Sequence, residues 1–133
     1  MSGYEEVLRS ISLNADATIG IYTGVPGQPG SAVPNTGKMY TFVKVTGANQ
    51  AGLCTAATDP YIGILQNKPQ KPGAAATVGI LGVSNLILGT GGCAAGNKLA
   101  PDANGAGVVD ATNGKCIALQ AGTAGSVVAV LIR

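Results

Sequence analysis

The sequence predicts an all-β protein: a small β-barrel or β-sandwich of short strands, with an extended N-terminal arm. Three observations predict it. From residue 38 onward, short runs rich in β-branched residues arrive every ten or so residues, with turn chemistry between them. Glycine accounts for 21 of 133 residues, about twice the usual share. The same stretch carries no sustained 3.6-residue apolar period, so no long helix is written there. A chain of 133 residues is one ordinary domain, able to bury roughly two thirds of its extended surface in a single core.

Taken in order, residues 1–37 read as an arm and connector, and residues 38–133 as the β body. Ser2 and Glu5 have the spacing of a capping box, and Tyr4, Val7, Leu8 and Ile11 follow i, i+3, i+4, i+7. This predicts a short helix over about residues 3–12 and equally suits a strand-like arm that orders on a partner. A lone helix with so small a stripe is marginal in water. Ile19-Gly-Ile-Tyr22 reads as a short strand. Residues 24–37 are half Gly or Pro, which suits neither a helix nor an interior strand.

Within the body, residues 38–46 form the clearest strand, with β-branched and aromatic residues throughout. Gly47-Ala-Asn-Gln50 is turn chemistry, and Asp59-Pro60 is a turn pair ahead of a strand at 62–66. Strands follow at 76–83 and 86–88. The runs 98–100 and 107–110 flank Pro101-Asp-Ala-Asn-Gly105, a hairpin signal. Runs at 116–120 and 126–132 close the chain. The last has six apolar residues in a row after Ser126. A strand apolar on both faces is covered on both, by a central position or by a subunit contact.

Composition excludes much chemistry. Histidine is absent, so there is no Ser-His-Asp or Cys-His nucleophile pair and no histidine metal site. Charged residues are 11% and the net charge is +2, too little for a nucleic-acid footprint. Only Lys68 and Lys71 lie close together, in a solvated loop. Cys54, Cys93 and Cys116 are odd in number and lack CxxC spacing, so they read as small apolar residues, with a single disulfide as the alternative. The uncharged stretch 72–97 is cut by glycines and polar residues and is too short in its apolar part to span a membrane. The opening Met-Ser-Gly-Tyr-Glu-Glu carries acid where a signal peptide carries base, which predicts a chain made and folded in a cytoplasm.

Two local patterns invite a site and fail. Gly89-Thr-Gly-Gly-Cys-Ala94 matches a dinucleotide fingerprint with Asp110 about 20 residues on. A phosphate site needs a helix after the glycines, and Ala95-Gly-Asn-Lys-Leu-Ala-Pro101 breaks at once. Asp102-Ala-Asn-Gly105 begins like a calcium loop and lacks the later ligands. The carboxylates Glu5, Glu6, Asp16, Asp59, Asp102 and Asp110 sit mostly in turn or arm contexts and form no catalytic pair. The sequence therefore predicts no catalytic, cofactor-binding or metal-binding residues and no enzyme.

The order of phrases in the body is distinctive. Asp59-Pro-Tyr-Ile-Gly-Ile-Leu-Gln-Asn-Lys-Pro69 precedes Pro72-Gly-Ala-Ala-Ala-Thr-Val78 and Gly82-Val-Ser-Asn-Leu-Ile-Leu88. Cys93-Ala-Ala-Gly-Asn-Lys-Leu99 and Asp102-Ala-Asn-Gly105 follow, and the chain closes on Cys116-Ile-Ala-Leu-Gln120 and the apolar run to Leu131. This order, over residues 38–133, resembles the capsid cement, or head decoration, proteins of tailed bacteriophages. The resemblance implies a small β protein on the outer face of the mature, expanded head, made in the host cytoplasm. It implies the major capsid protein as partner, copies of itself as trimers, no nucleic acid, no membrane, no cofactor and no catalysis.

On that reading the arm residues Tyr4, Val7, Leu8, Ile11 and Leu13 are expected to bind the capsid or a neighbouring copy. Val127, Val128, Val130 and Ile132 are expected at a subunit contact. Two other classes remain. One is a glycan-binding β module, which would use the few aromatics, Tyr4, Tyr22, Tyr40, Phe42 and Tyr61. The other is a different virion part, such as a head fibre base or a tail component.

Overall fold

A computed structural model describes residues 8–20 and 38–133. The described residues form an all-β fold without a helix. Nine strands occur among them: β1 Leu8–Ala15, β2 Phe42–Gly47, β3 Gln50–Leu53, β4 Tyr61–Leu65, β5 Ala75–Ile87, β6 Lys98–Pro101, β7 Gly107–Val109, β8 Cys116–Ala118 and β9 Val127–Ile132. Their order is β1-β3-β2-β4-β5-β9-β8-β6-β7, and β1 also pairs with β5. Strands β1, β3, β2, β4 and β5 thus close into a five-stranded barrel, and the remaining strands extend one wall of it into a second sheet.

β5 belongs to both parts. Its first half pairs with β1 and β4, from Asn14↔Ala75 to Leu8↔Gly82 on the β1 side. Its second half pairs with β9, from Gly82↔Ile132 to Ile87↔Val127. The register skips Ile80 between Arg9↔Leu81 and Ser10↔Gly79, and Gly82 takes a φ of 110°. A bulge followed by a glycine in the positive region bends a strand, and here the bend lies where the barrel gives way to the second sheet.

Strand alternation divides the apolar residues between two cores. In β2 and β4, Val43 and Leu65 face the barrel interior, with Ala15, Ala51, Ala76, Val78 and Ile19. A five-stranded barrel is narrow, and alanines from three strands fit that bore. Their neighbours Phe42 and Ile64 face the other way. They pack with Leu86, Leu99, Val128, Val130 and others between the barrel wall and the second sheet. Phe42 is fully buried and meets Tyr61 with ring centroids 4.8 Å apart, tilted by 52°. A Cβ on Gly63 would collide with the Gly79 carbonyl oxygen, so β4 and β5 approach closely only because glycine stands there.

Several expectations change. Residues 8–12 form strand, not the end of a helix; residues 3–7 lie outside the described residues. Backbone partners on β5 and β3 are available to this segment, and Ile11-Ser-Leu-Asn-Ala15 alternates at the strand period. Ile19 and Gly20 lie in a turn closed by Gly20 N–H donating to the Asp16 carbonyl at 2.7 Å; residues 21 and 22 lie outside the description. The strand expected from residue 38 begins at Phe42, because residues 38–41 turn, with Tyr40 at φ 68°. The two strands expected at 76–83 and 86–88 are one strand of thirteen residues. β3 was not anticipated: Gln-Ala-Gly-Leu lacks β-branched residues and is held by its pairing to β2 through the turn at Asn49, φ 53°.

Candidate functional site

The carboxylates that might carry chemistry are held by hydrogen bonds within turns and, for Asp16 and Asp59, by side chains of β2. Asp16 accepts from the Thr18 backbone and from the Thr46 hydroxyl, each at 2.8 Å. Partial burial alone would raise its pKa; the bonds from Thr18 and Thr46 outweigh this and lower it. Asp59 takes the Thr55 N–H at 2.8 Å and the Lys44 ammonium at 2.9 Å, and both lower its pKa. Asp102 accepts from the backbone of Asn104 and Ala106, closing the β6–β7 hairpin. Asp110 accepts from the Asn113 and Thr112 backbones, which keep its pKa low. Asp102 and Asp110 have the turn roles that the sequence suggested, whereas Asp16 and Asp59 also tie their turns to β2.

The Gly89–Ala94 phrase is a loop, not a phosphate cradle. Cys93 and Gly122 exchange backbone hydrogen bonds at 2.9 and 3.0 Å, joining this loop to the one before β9. A Cβ on Gly92 would strike the Gly122 carbonyl oxygen, and Gly92 has a φ of 59°. Close loop packing accounts for that glycine.

All three cysteines are free, and Cys54 and Cys116 are buried. Burial pushes both thiols up to about 12. Iodoacetamide at pH 8 is therefore expected to modify no more than one cysteine of the native chain, at Cys93, and all three in denaturant. Intact-mass measurement checks this; native labelling of Cys54 or Cys116 would contradict it.

The surface residues singled out in the sequence are divided by the fold. Tyr4 and Val7 lie outside the described residues. Leu8 packs on the core between barrel and second sheet, and Leu13 on the barrel interior. Ile11, opposite Val78, is 40% exposed. On β9, Val128, Val130 and Ile132 are buried in the chain's own core, while Val127 is 46% exposed. The strand period separates these four. Positions 128, 130 and 132 face inward, and positions 127, 129 and 131 form the outer face.

Sequence reading missed the sheet face to which Val127 belongs. Val83 on β5 stands opposite Leu131 on β9, and Leu131 stands opposite Ile117 on β8. Ile87 stands opposite Val127. Leu119, two residues past Ile117, is 45% exposed. Lys98 on β6 is the next register partner of Ile117. Only the pairing order assembles this row from segments tens of residues apart. At its Ile87–Val127 end the surface dips into a cavity of about 400 Å³, which Tyr40, Lys38 and Lys68 also line.

The fold and this surface define a class: a small closed β-barrel whose long fifth strand carries a second sheet with an open outer face. Among solved structures, the chain is similar to the head fibre gp8.5 N base of bacteriophage phi29. The TM-score is 0.64 and the identity 16%, over 96% of this chain and 95% of that one. At that identity the likeness is one of fold. No protein family model matches the chain. No curated protein matches it either.

Proposed function

We propose that the chain is a structural protein of a tailed-phage head, not an enzyme. It binds the outer surface of the expanded shell and stabilises it against the pressure of packed DNA. The observation that carries this reading is the end-to-end fold likeness to a phage head fibre base. The order of phrases in residues 38–133 supports it independently. The proposed partners are the major capsid protein and copies of the chain itself, as a trimer.

The physics is linkage. A protein that binds the expanded shell and not the unexpanded one stabilises the expanded form by RT ln(1 + [L]/Kd) per site, about 4 kcal/mol at 1,000 times Kd. Many symmetry-related sites multiply this. A rigid, weakly charged β body suits the task. Residues 1–7 are proposed to contribute contacts through Tyr4 and Val7; β1 itself is engaged in the barrel, so a test of the arm removes residues 1–7 alone.

The fold likeness also favours a second reading, a head fibre base that carries a further protein outward. Co-sedimentation of the purified chain with expanded and unexpanded heads of the encoding phage tests both. Saturable binding to expanded heads, with a raised temperature of DNA release, is expected for cement. Binding without any gain in head stability favours the fibre base. Absence of binding to either head overturns both.

A further inference from the structure

The seam that closes the barrel covers one end of β1 and leaves the other end open. β3 runs beside β1 at Asn14↔Gln50 and Ala15↔Ala51, and ahead of that point the chain of β3 has turned back into β2 at residues 48–49. Residues 8–13 continue past this turn with β5 on one side and, among the described residues, no strand on the other. The backbone phase shows which groups face the open side. Ala15 N–H donates toward β5, to the Ala74 carbonyl, whereas Asn14 and Asp16 N–H donate to the Asn49 and Ala51 carbonyls on the β3 side. Backbone groups alternate in direction along a strand, so Ser12 and Ser10 aim to the same side as Asn14. Their N–H and C=O groups have no partner among the described residues, and Arg9, Ser10, Ile11 and Ser12 are all exposed.

Exposed edges are usually blunted by lysine, proline or a bulge. Neither lysine nor proline occurs in Leu8–Ala15, and the bulge at Arg9/Ser10 lies in the pairing with β5. The edge is also complementary to itself. Ser10-Ile11-Ser12 reads the same in both directions. Laid antiparallel on a second copy, with Ile11 at the two-fold axis, Ser10 stands opposite the second copy's Ser12. Both such pairs are in phase to exchange their N–H···O bonds. Ile11, 40% exposed, meets its own equivalent at the closer, non-hydrogen-bonded spacing. Arg9 falls opposite Leu13, so the two arginines lie about 13 Å apart along the strands, at about 3.3 Å per residue. The pairing stops at Asn14, whose N–H is already given to Asn49.

We propose that two copies of the chain join edge to edge through residues 9–13 of β1, so that each β1–β5 ribbon continues into the other molecule. The contact is isologous and closes after two copies, without growing into a filament. It falls far short of the about 1,600 Å² of a standard stable interface, so free chains stay apart at micromolar concentration. Copies held side by side reach millimolar effective concentration, and there the edges meet. That last step rests on the reading of the chain as a head-binding protein: on a shell the edge ties neighbouring copies, and a trimer uses another surface.

The test is disulfide capture with the full chain in a Cys93→Ser background, which removes the half-buried native thiol. Each variant is first checked for parent-like circular dichroism and melting temperature. Ile11→Cys places a thiol opposite itself on the two-fold axis. With oxidised glutathione and chain at about 1 mM, it is expected to form a linked dimer at least about tenfold faster than Val109→Cys. Val109 is 51% exposed on β7, at the far end of the second sheet, and reports random collision. Ser10→Lys with Ser12→Lys, added to the Ile11→Cys chain, sets like charges face to face and is expected to return the rate to the collision level. Ser12→Pro, which removes an edge N–H and spares the β5 ladder, is expected to do the same. An Ile11→Cys rate no faster than that of Val109→Cys overturns the proposal, and so does a fast rate that neither edge variant slows. Both results come from free chains and leave the head-binding reading standing. Capture in solution by a chain that binds no heads overturns that reading and supports the edge contact. On decorated heads the same linkage is expected from micromolar chain; its absence there overturns the role of the contact on the shell.

Discussion

A chain lacking residues 1–15 is expected to lose the barrel, not merely to shed a flexible arm. β1 is hydrogen-bonded along both edges, antiparallel to β5 from Leu8↔Gly82 to Asn14↔Ala75 and parallel to β3 at Asn14↔Gln50 and Ala15↔Ala51. Its removal opens β3 and β5 as edges, takes Ala15 and Leu13 from the barrel interior, and takes Leu8 from the other core. A domain of this size has about 5–15 kcal/mol of net stability. Losing one of five barrel strands exceeds what that margin tolerates. The truncated chain should show no cooperative melt and should bind a hydrophobic dye. A synthetic peptide of residues 8–20 should restore the melt in a concentration-dependent way. A cooperative transition within a few degrees of the full chain would refute this. Removal of residues 1–7 alone leaves every described strand in place.

Phe42→Ala should be the most damaging single truncation, at about 3–5 kcal/mol. Phe42 is fully buried, stacks obliquely on Tyr61, and sits where barrel wall and second sheet share one core. The cavity would lie between β2, β4, β5 and β9, whose backbones are tied by sheet pairing and cannot collapse into it. At this chain length the melting temperature should fall by roughly 10–20 °C. Val45→Ala, three residues along β2 and 55% exposed, should change stability by less than about 0.5 kcal/mol. Equal melting temperatures for the two variants would mean that Phe42 does not hold the halves together.

The all-β class and most of the strands were legible because β-branched runs between turn residues report local preference directly. β4, β7, β8 and β9 fall where those runs lie, and β6, with no β-branched residue, falls beside the hairpin signal at 101–105. What was not legible depends on partners far away in sequence. Residues 8–12 fit a helical spacing and a strand alternation equally, and only β5 decides between them. β3 has no β-branched residue and exists because β2 turns back at Asn49. Likewise the residue types of β9 announced a covered strand, but only its place between β5 and β8 shows which side is covered.

The pairing of β1 with β5 also sets a timetable. β1 is made before the other described strands, yet its partners run to Gly82. At about 5–20 residues per second the ribosome needs seconds to deliver them, longer than a hairpin takes to form. The β2–β3 hairpin can close soon after its residues emerge, whereas the barrel cannot close until β5 is complete. Until then the N-terminal strand is an unmatched, half-apolar segment, and the exposed edge of β3 is its only native dock. The last step of barrel assembly therefore belongs to the earliest of the described strands, and slow or crowded translation would put the chain at greatest risk in that interval.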